Sequence, residues 1–196
     1  MTSFARFPSS LIRRLPAVSK TGRMAALALA GLALSSAAQA ATPISLNSYI
    51  QCRYTALVEF PGTIVEAAVA TPELSTLVTL VKAANLVDAL NGKGPFTVFA
   101  PTNDAFGKVP APLLNLIGGN TELLTSVLTY HVTAGSADPR RTLTPMQVTT
   151  LQGQTVFVGY DKDGASVNQS VAACKGVKTS NGTVWVIDSV LLPQFK

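Results

Sequence analysis

A short apolar run, FTVFA (Phe96 to Ala100), stands alone between helical patterns and is followed at once by Pro101, Thr102, Asn103 and Asp104. These are residue types that stop a strand and start a helix. A single strand leaves its backbone hydrogen-bonding groups unpaired, so this one needs a partner from elsewhere. The β-prone stretches that could supply one lie later in the chain. An early helix-rich part must therefore be tied to a later strand-rich part, and the fold class expected is α+β.

From Gly62 to Gly94 the pattern is helical. TPELSTLVTLVKAANL sets Leu74, Leu77, Val78 and Val81 on one stripe, with Thr71 as the expected N-cap, Pro72 at the first helical position and Glu73 in the first turn. NGKGP (Asn91 to Pro95) ends the region. After the strand, TNDAF opens a helical turn, and Pro110-Ala111-Pro112 starts a helix that stops at Gly118-Gly119. NTELLTSVLTYHV then carries Leu123, Leu124, Val127 and Leu128 at helical spacing into a β-prone Tyr130 to Val132. Beyond Gly135 the helical signal disappears. QTVFVGY alternates, DKDG (Asp161 to Gly164) reads as a turn, and Asn181-Gly182 between two β-prone arms is a strong hairpin signal.

Residues 1–40 read as an export signal and not as part of a fold. Arg6, Arg13, Arg14, Lys20 and Arg23 form a positive n-region, MAALALAGLAL (Met24 to Leu34) is too short to span a bilayer, and AQA (Ala38 to Ala40) has the small-x-small form of a cleavage site. The Arg13-Arg14 pair completes no twin-arginine pattern, so ordinary Sec export is expected. Cleavage after Ala40 removes five of the fifteen basic residues and none of the ten acidic ones, leaving ten of each and no net charge. No basic run remains to recruit nucleic acid or an anionic membrane. The expected product is secreted, periplasmic or extracellular, without a membrane span. Its 156 residues suit one domain, over residues 62–196, preceded by a segment over residues 41–61 that carries Cys52.

Export places Cys52 and Cys174 where a disulfide can form and persist. A bridge between them would close a loop of about 120 residues, for which chain entropy gives on the order of 4 to 5 kcal/mol. Two free thiols or a redox pair is the other reading, but redox pairs usually sit close as C-x-x-C, so the structural bridge is favoured.

His131 is the only histidine, which excludes a His-rich metal centre. A Ser-His-Asp set could be assembled on paper from Ser126, His131 and Asp188, yet the G-x-S-x-G elbow is absent and the serines lie in helix or turn contexts. His131 is read instead as a histidine held by hydrogen bonds at the edge of the core. DKDG lacks the ligand series and closing Glu of a calcium loop. No G-x-G-x-x-G or P-loop lysine is present, so no cofactor is expected.

TVFAPTNDAF (Thr97 to Phe106), YHV (Tyr130 to Val132) and GTVWVIDSVLLP (Gly182 to Pro193), in that order, closely resemble the two signature motifs and the central Tyr-His of the fasciclin domain. The resemblance covers residues 62–193 and is nearest to the secreted single-domain bacterial members, a group that includes a mycobacterial secreted antigen. Cys52 and Cys174 match that group's bridged pair. The implied fold is a wedge-shaped β-sandwich with helices packed along one side. On it, the strand ends at Pro101, and the side chains of Thr102, Asn103 and Asp104 hydrogen-bond exposed amides to begin the next helix. His131 would fix that corner or the neighbouring strand, and Asp188 would need a hydrogen-bonding partner.

Family function is adhesion at or outside the cell surface, which implies an interaction module for cell-cell or cell-matrix contact and no enzyme. The implied partner is a surface or matrix protein or a glycan. In animal members the Tyr-His region is linked to integrin binding, so Tyr130 and His131 are the positions carried over for partner binding. One domain bridges two surfaces only if it oligomerises or is itself held at one, so a homo-oligomer belongs to this reading. The other reading is a small apolar ligand, a carotenoid or lipid, held between helices and sheet, since some members carry carotenoids.

Overall fold

The computed structural model describes residues 44–195, and the export signal expected at residues 1–40 lies outside the described residues. The helices are α1 (Leu46–Tyr54), α2 (Ile64–Val69), α3 (Ser75–Ala83), α4 (Val87–Leu90), α5 (Asn103–Gly107), α6 (Ala111–Gly119) and α7 (Thr121–Tyr130), with a 3-10 turn at Pro72–Leu74. The strands are β1 (Val58–Glu59), β2 (Phe96–Pro101), β3 (Val132–Ala134), β4 (Met146–Thr149), β5 (Thr155–Asp161), β6 (Gly164–Val167), β7 (Ser170–Val171), β8 (Val177–Lys178) and β9 (Gly182–Ile187).

The partner of the isolated early strand is β9. The two run parallel in register from Phe96 opposite Gly182 to Pro101 opposite Ile187, at the centre of a sheet ordered β1-β8-β9-β2-β3. The hairpin pattern of the last third had pointed to an antiparallel sheet, and β4-β5-β6-β7 does form one. The central pairing is parallel because residues 102–181, which include that whole second sheet, form the crossover that parallel strands require.

Alternation along β2 and β9 sorts their side chains to two cores. Val98, Ala100 and Val184 join Ile64, Leu77, Val81, Leu124 and Leu128 beneath the helices. Phe99, Trp185 and Ile187 point the other way and meet Val156, Val158, Tyr160 and Val167 of the second sheet. The result is helices on one sheet and that sheet on another, the α+β sandwich expected. In the segment over residues 41–61, α1 is not amphipathic. Leu46, Ile50 and Tyr54 are exposed and Cys52 is the buried residue of the helix, so no apolar stripe faces inward. Cys52 is bonded to Cys174 across 122 positions of sequence, which anchors this helix to the sheet side of the molecule.

Asn181-Gly182 does join two antiparallel strands, β8 and β9, but not by the left-handed backbone its sequence predicts. Among the described residues, those with positive φ are Asn85, Asn168, Gly135, Gly153 and Gly164, so neither member of the pair is among them. Asn181 Oδ1 instead accepts the Ile64 N–H (3.0 Å), and its Nδ2 donates to the carbonyls of Leu90 (2.8 Å) and Gly92 (3.1 Å). Gly182 is required by space: a Cβ there would lie 2.1 Å from the Phe96 carbonyl oxygen.

Gly182→Ala is therefore expected to lower the unfolding free energy by at least about 2 kcal/mol, as overpacking against backbone does. Gly118→Ala, in α6 with nothing within 4 Å of the added methyl, should raise it by about 0.5 to 1 kcal/mol. Urea unfolding of the two variants should show shifts of opposite sign.

Candidate functional site

The corner after β2 is built by two side chains with different targets. Thr102 caps its own helix, its Oγ1 accepting the Ala105 N–H at 3.1 Å. Asn103 turns away from that helix. Its Oδ1 accepts the Thr76 N–H (2.9 Å) at the start of α3, and its Nδ2 donates to the Pro72 carbonyl (3.1 Å) and the Ser75 hydroxyl (3.0 Å). The expectation that Thr102, Asn103 and Asp104 all begin the following helix is thus corrected: Thr102 does so, and Asp104 is exposed in the first turn. Thr71, the expected cap of the α3 region, makes no cap bond, and its hydroxyl donates back to the Ala67 carbonyl at 2.9 Å. Asn103 supplies, from 27 residues away, the cap that Thr71 does not.

Tyr130 closes α7 and His131 is the helix C-cap, so the Tyr-His pair ends a helix and the strand begins one residue later. His131 is 2% exposed, with Nδ1 at 2.8 Å from the Val127 carbonyl and Nε2 at 2.9 Å from the Leu191 amide nitrogen. A carbonyl only accepts and an amide N–H only donates, so the ring carries its proton on Nδ1 and is neutral. Burial lowers its pKa from 6.5 to about 4, against a smaller opposing effect of the Val127 carbonyl. His131 thereby fixes the C-terminal segment, rather than the corner or strand anticipated from sequence.

Asp188, the residue after β9, is half exposed. Its Oδ1 accepts the Val171 N–H (2.9 Å) and the Ser189 hydroxyl (3.1 Å), and Lys108 reaches its Oδ2 at 3.4 Å and its carbonyl at 2.7 Å. Burial opposes the charge, yet the Val171 amide, the Ser189 hydroxyl and the Lys108 ammonium together hold the carboxyl below its ordinary pKa.

Sequence reasoning missed a buried charge beside the disulfide. Arg140, 5% exposed, pairs with Asp138 through two parallel hydrogen bonds of 2.9 Å and donates from Nη1 to the carbonyls of Thr55 (2.6 Å) and Cys174 (3.2 Å). Its guanidinium lies 4.7 Å from the centre of the Trp185 ring. Burial works against ionised Asp138, and the Arg140 guanidinium nevertheless keeps its carboxyl below the ordinary value. A loop sequence such as ADPRR carries no periodic sign of this role.

Ser126, His131 and Asp188 are not brought together. Both ring nitrogens of His131 face backbone groups, the Ser126 hydroxyl accepts from Gln152 at 3.3 Å, and Asp188 binds Val171, Ser189 and Lys108. Among the described residues no three His, Cys, Asp or Glu side chains cluster as metal ligands, and no helix is long and apolar enough to cross a membrane.

Two spaces remain. Between the helices and the first sheet, Leu77, Val81, Leu90, Val98, Leu128 and Val132 line an apolar cavity of about 70 Å³. Small-molecule pockets measure roughly 300 to 1,000 Å³, so a carotenoid would enter only if the helices parted from the sheet. An open groove of about 1210 Å³ runs between the second sheet and the C-terminal segment, with Tyr130 among its lining residues. The Tyr130 hydroxyl donates to the Thr155 carbonyl and accepts from Asn168, both at 3.2 Å.

The polar side chains of the motifs thus act as internal ties, in an α+β domain that leaves a groove open at its surface. Residues 72–193 match the profile of the fasciclin domain, and the chain belongs to the fasciclin family. It is 46% identical over 132 residues to the immunogenic protein MPB70 of Mycobacterium bovis, a match covering 65% of this chain and 67% of that protein. The cell surface glycolipoprotein MPB83 of the same species is also 46% identical over 132 residues, covering 65% of this chain and 59% of the relative. Among solved structures, a domain pair from the insect cell adhesion molecule Fasciclin I aligns with a TM-score of 0.48 and 17% identity, over 61% of this chain and 45% of that one.

Two measurements check the ties. Asn103→Ala should cost about 1 to 2 kcal/mol in urea unfolding through loss of the α3 cap, whereas Asp104→Ala should stay within about 0.5 kcal/mol. Because the folded pKa of His131 lies below the unfolded one, its contribution is complete above pH 6.5 and is lost as pH falls towards 4. Unfolding free energy should drop by roughly 3 kcal/mol across that window. His131→Gln should be less stable at neutral pH and flat over the same range.

Proposed function

We propose that the exported chain is an adhesion-type interaction module. It acts outside the cytoplasmic membrane, presents a surface to a cell-surface or matrix partner and carries out no chemistry. The observation that carries this reading is the assignment of motif side chains. Asn103, His131 and Asp188 are engaged with helix ends, strands and the C-terminal segment, while Tyr130 alone of the Tyr-His pair borders the open groove. Tyr130 shapes the groove floor in this reading, and buried His131 serves partner binding from beneath, by holding the Leu191 backbone in place. The export signal at residues 1–40, the disulfide and the likeness to a cell surface glycolipoprotein support the location. Adhesion through one domain calls for attachment or oligomerisation, because several weak contacts made together are what hold surfaces.

Labelled protein purified after export is expected to sediment with envelope material of the exporting cells. Leu192→Glu, at a groove residue 42% exposed, should cut that binding about tenfold at an unchanged urea midpoint. No sedimentation, or equal sedimentation of the variant, overturns the assignment.

A further inference from the structure

The groove has a chemical character that narrows its partner. No Asp, Glu, Lys, Arg or His side chain lines it among the described residues. Its exposed large apolar side chains are Phe157, 47% exposed on the second sheet, and Leu192 on the facing segment, beside Pro145, Val190 and Leu191. Its uncommitted polar groups are the Gln169 and Gln194 amides and the Thr155 hydroxyl, whose side chains make no hydrogen bond among the described residues. The groove's other amides are occupied: Asn168 bridges Phe157 and Tyr130, and Gln154 clasps the Gln194 backbone through bonds of 2.7 and 2.9 Å.

An uncharged, open groove with an exposed aromatic face and free amides matches a chain of neutral sugar rings. The C–H face of a pyranose packs on an aromatic ring, and its neighbouring hydroxyls both donate and accept, as a glutamine amide does. Anionic glycans and nucleic acid find no cation here, and a lipid would leave these polar groups unpaired. At about 1210 Å³ the groove has room for several rings. The other large groove contains Lys93 and Lys178 among backbone-rich turns and lacks this combination.

We propose that the groove between the second sheet and the C-terminal segment binds a neutral oligosaccharide chain, with one ring on Phe157 and hydroxyl contacts to Gln169 and Gln194. This rests on the interaction-module reading and names its partner class.

The test is calorimetric titration of the exported protein with cellohexaose, mannohexaose and neutral polysaccharide released from the envelope of the exporting cells, with heparin as the charged comparator. At least one neutral probe should bind with a Kd of roughly 10 μM to 1 mM. That Kd should change by less than about twofold between about 0.05 and 0.5 M NaCl. Phe157→Ala and Gln169→Ala, both at exposed side chains, should each weaken it about tenfold, while Leu116→Ala on the exposed face of α6 should not. Lack of binding by every neutral probe, binding that survives both groove variants, or preference for heparin overturns the proposal. If envelope binding is abolished by protease and untouched by periodate, the glycan assignment fails and the interaction module stands. If envelope and sugars are both ignored, the two fall together.

Discussion

The parallel ladder between β2 and β9 is the contact on which the rest of the molecule is assembled. The apolar side chains Val98, Phe99, Ala100, Val184, Trp185 and Ile187 are each committed to one of two cores, and a one-residue slip would exchange them. At one end the Phe96 N–H meets the Asn181 carbonyl (3.0 Å) and Gly182 lets the strands close up. At the other end the Thr102 N–H reaches the Ile187 carbonyl at 3.2 Å, and the chain turns into α5. The first and last of the three sequence motifs are these two central strands with their end fittings. Residues so far apart in sequence must be matched together because they are neighbours in one ladder.

The remaining motif positions secure the pieces that the ladder does not reach. Asn103 holds the start of α3, His131 joins the end of α7 to the Leu191 backbone, and Asp188 joins the end of β9 to β7 and Lys108. The disulfide and the Arg140-Asp138 pair anchor α1 in the same way. Removing one partner of such a buried pair leaves an orphaned polar group, which costs more than the bond itself contributes. Such residues can therefore be indispensable without touching any partner.

Local physics made part of this readable from sequence. The strand at Phe96, the apolar stripe of α3, the proline start of α6 and the DKDG turn follow from period, propensity and turn chemistry, and each forms where expected. What was not readable depends on groups brought together from a distance. The parallel sense of β2 with β9 is set by the crossover. Asn103 resembles a local cap until α3 is seen beside it, and Asn-Gly resembles a type I′ turn until the helical layer takes up the Asn181 amide. Both strands of the ladder could be found one segment at a time; Arg140 could not, because its role exists only where α1, the disulfide and Trp185 converge.

On the proposed reading, the position of the groove gives the buried histidine a part in binding. One groove wall is the C-terminal segment, which has no regular secondary structure of its own and is pinned at four successive points. Asp188 takes the Val171 amide, Ser189 meets Ser170 at 2.8 Å, Leu191 meets His131, and Gln194 is clasped by Gln154. A wall ordered in the free protein loses little further freedom when a partner arrives, which is how a shallow polar surface retains useful affinity. The same pin makes the wall sensitive to acid: protonated Nε2 would be a second donor facing the Leu191 N–H, and the bond that places Leu191 would be lost. Stability and groove shape are thus coupled through one imidazole, so acid should loosen the groove wall by breaking the bond that also holds the fold together.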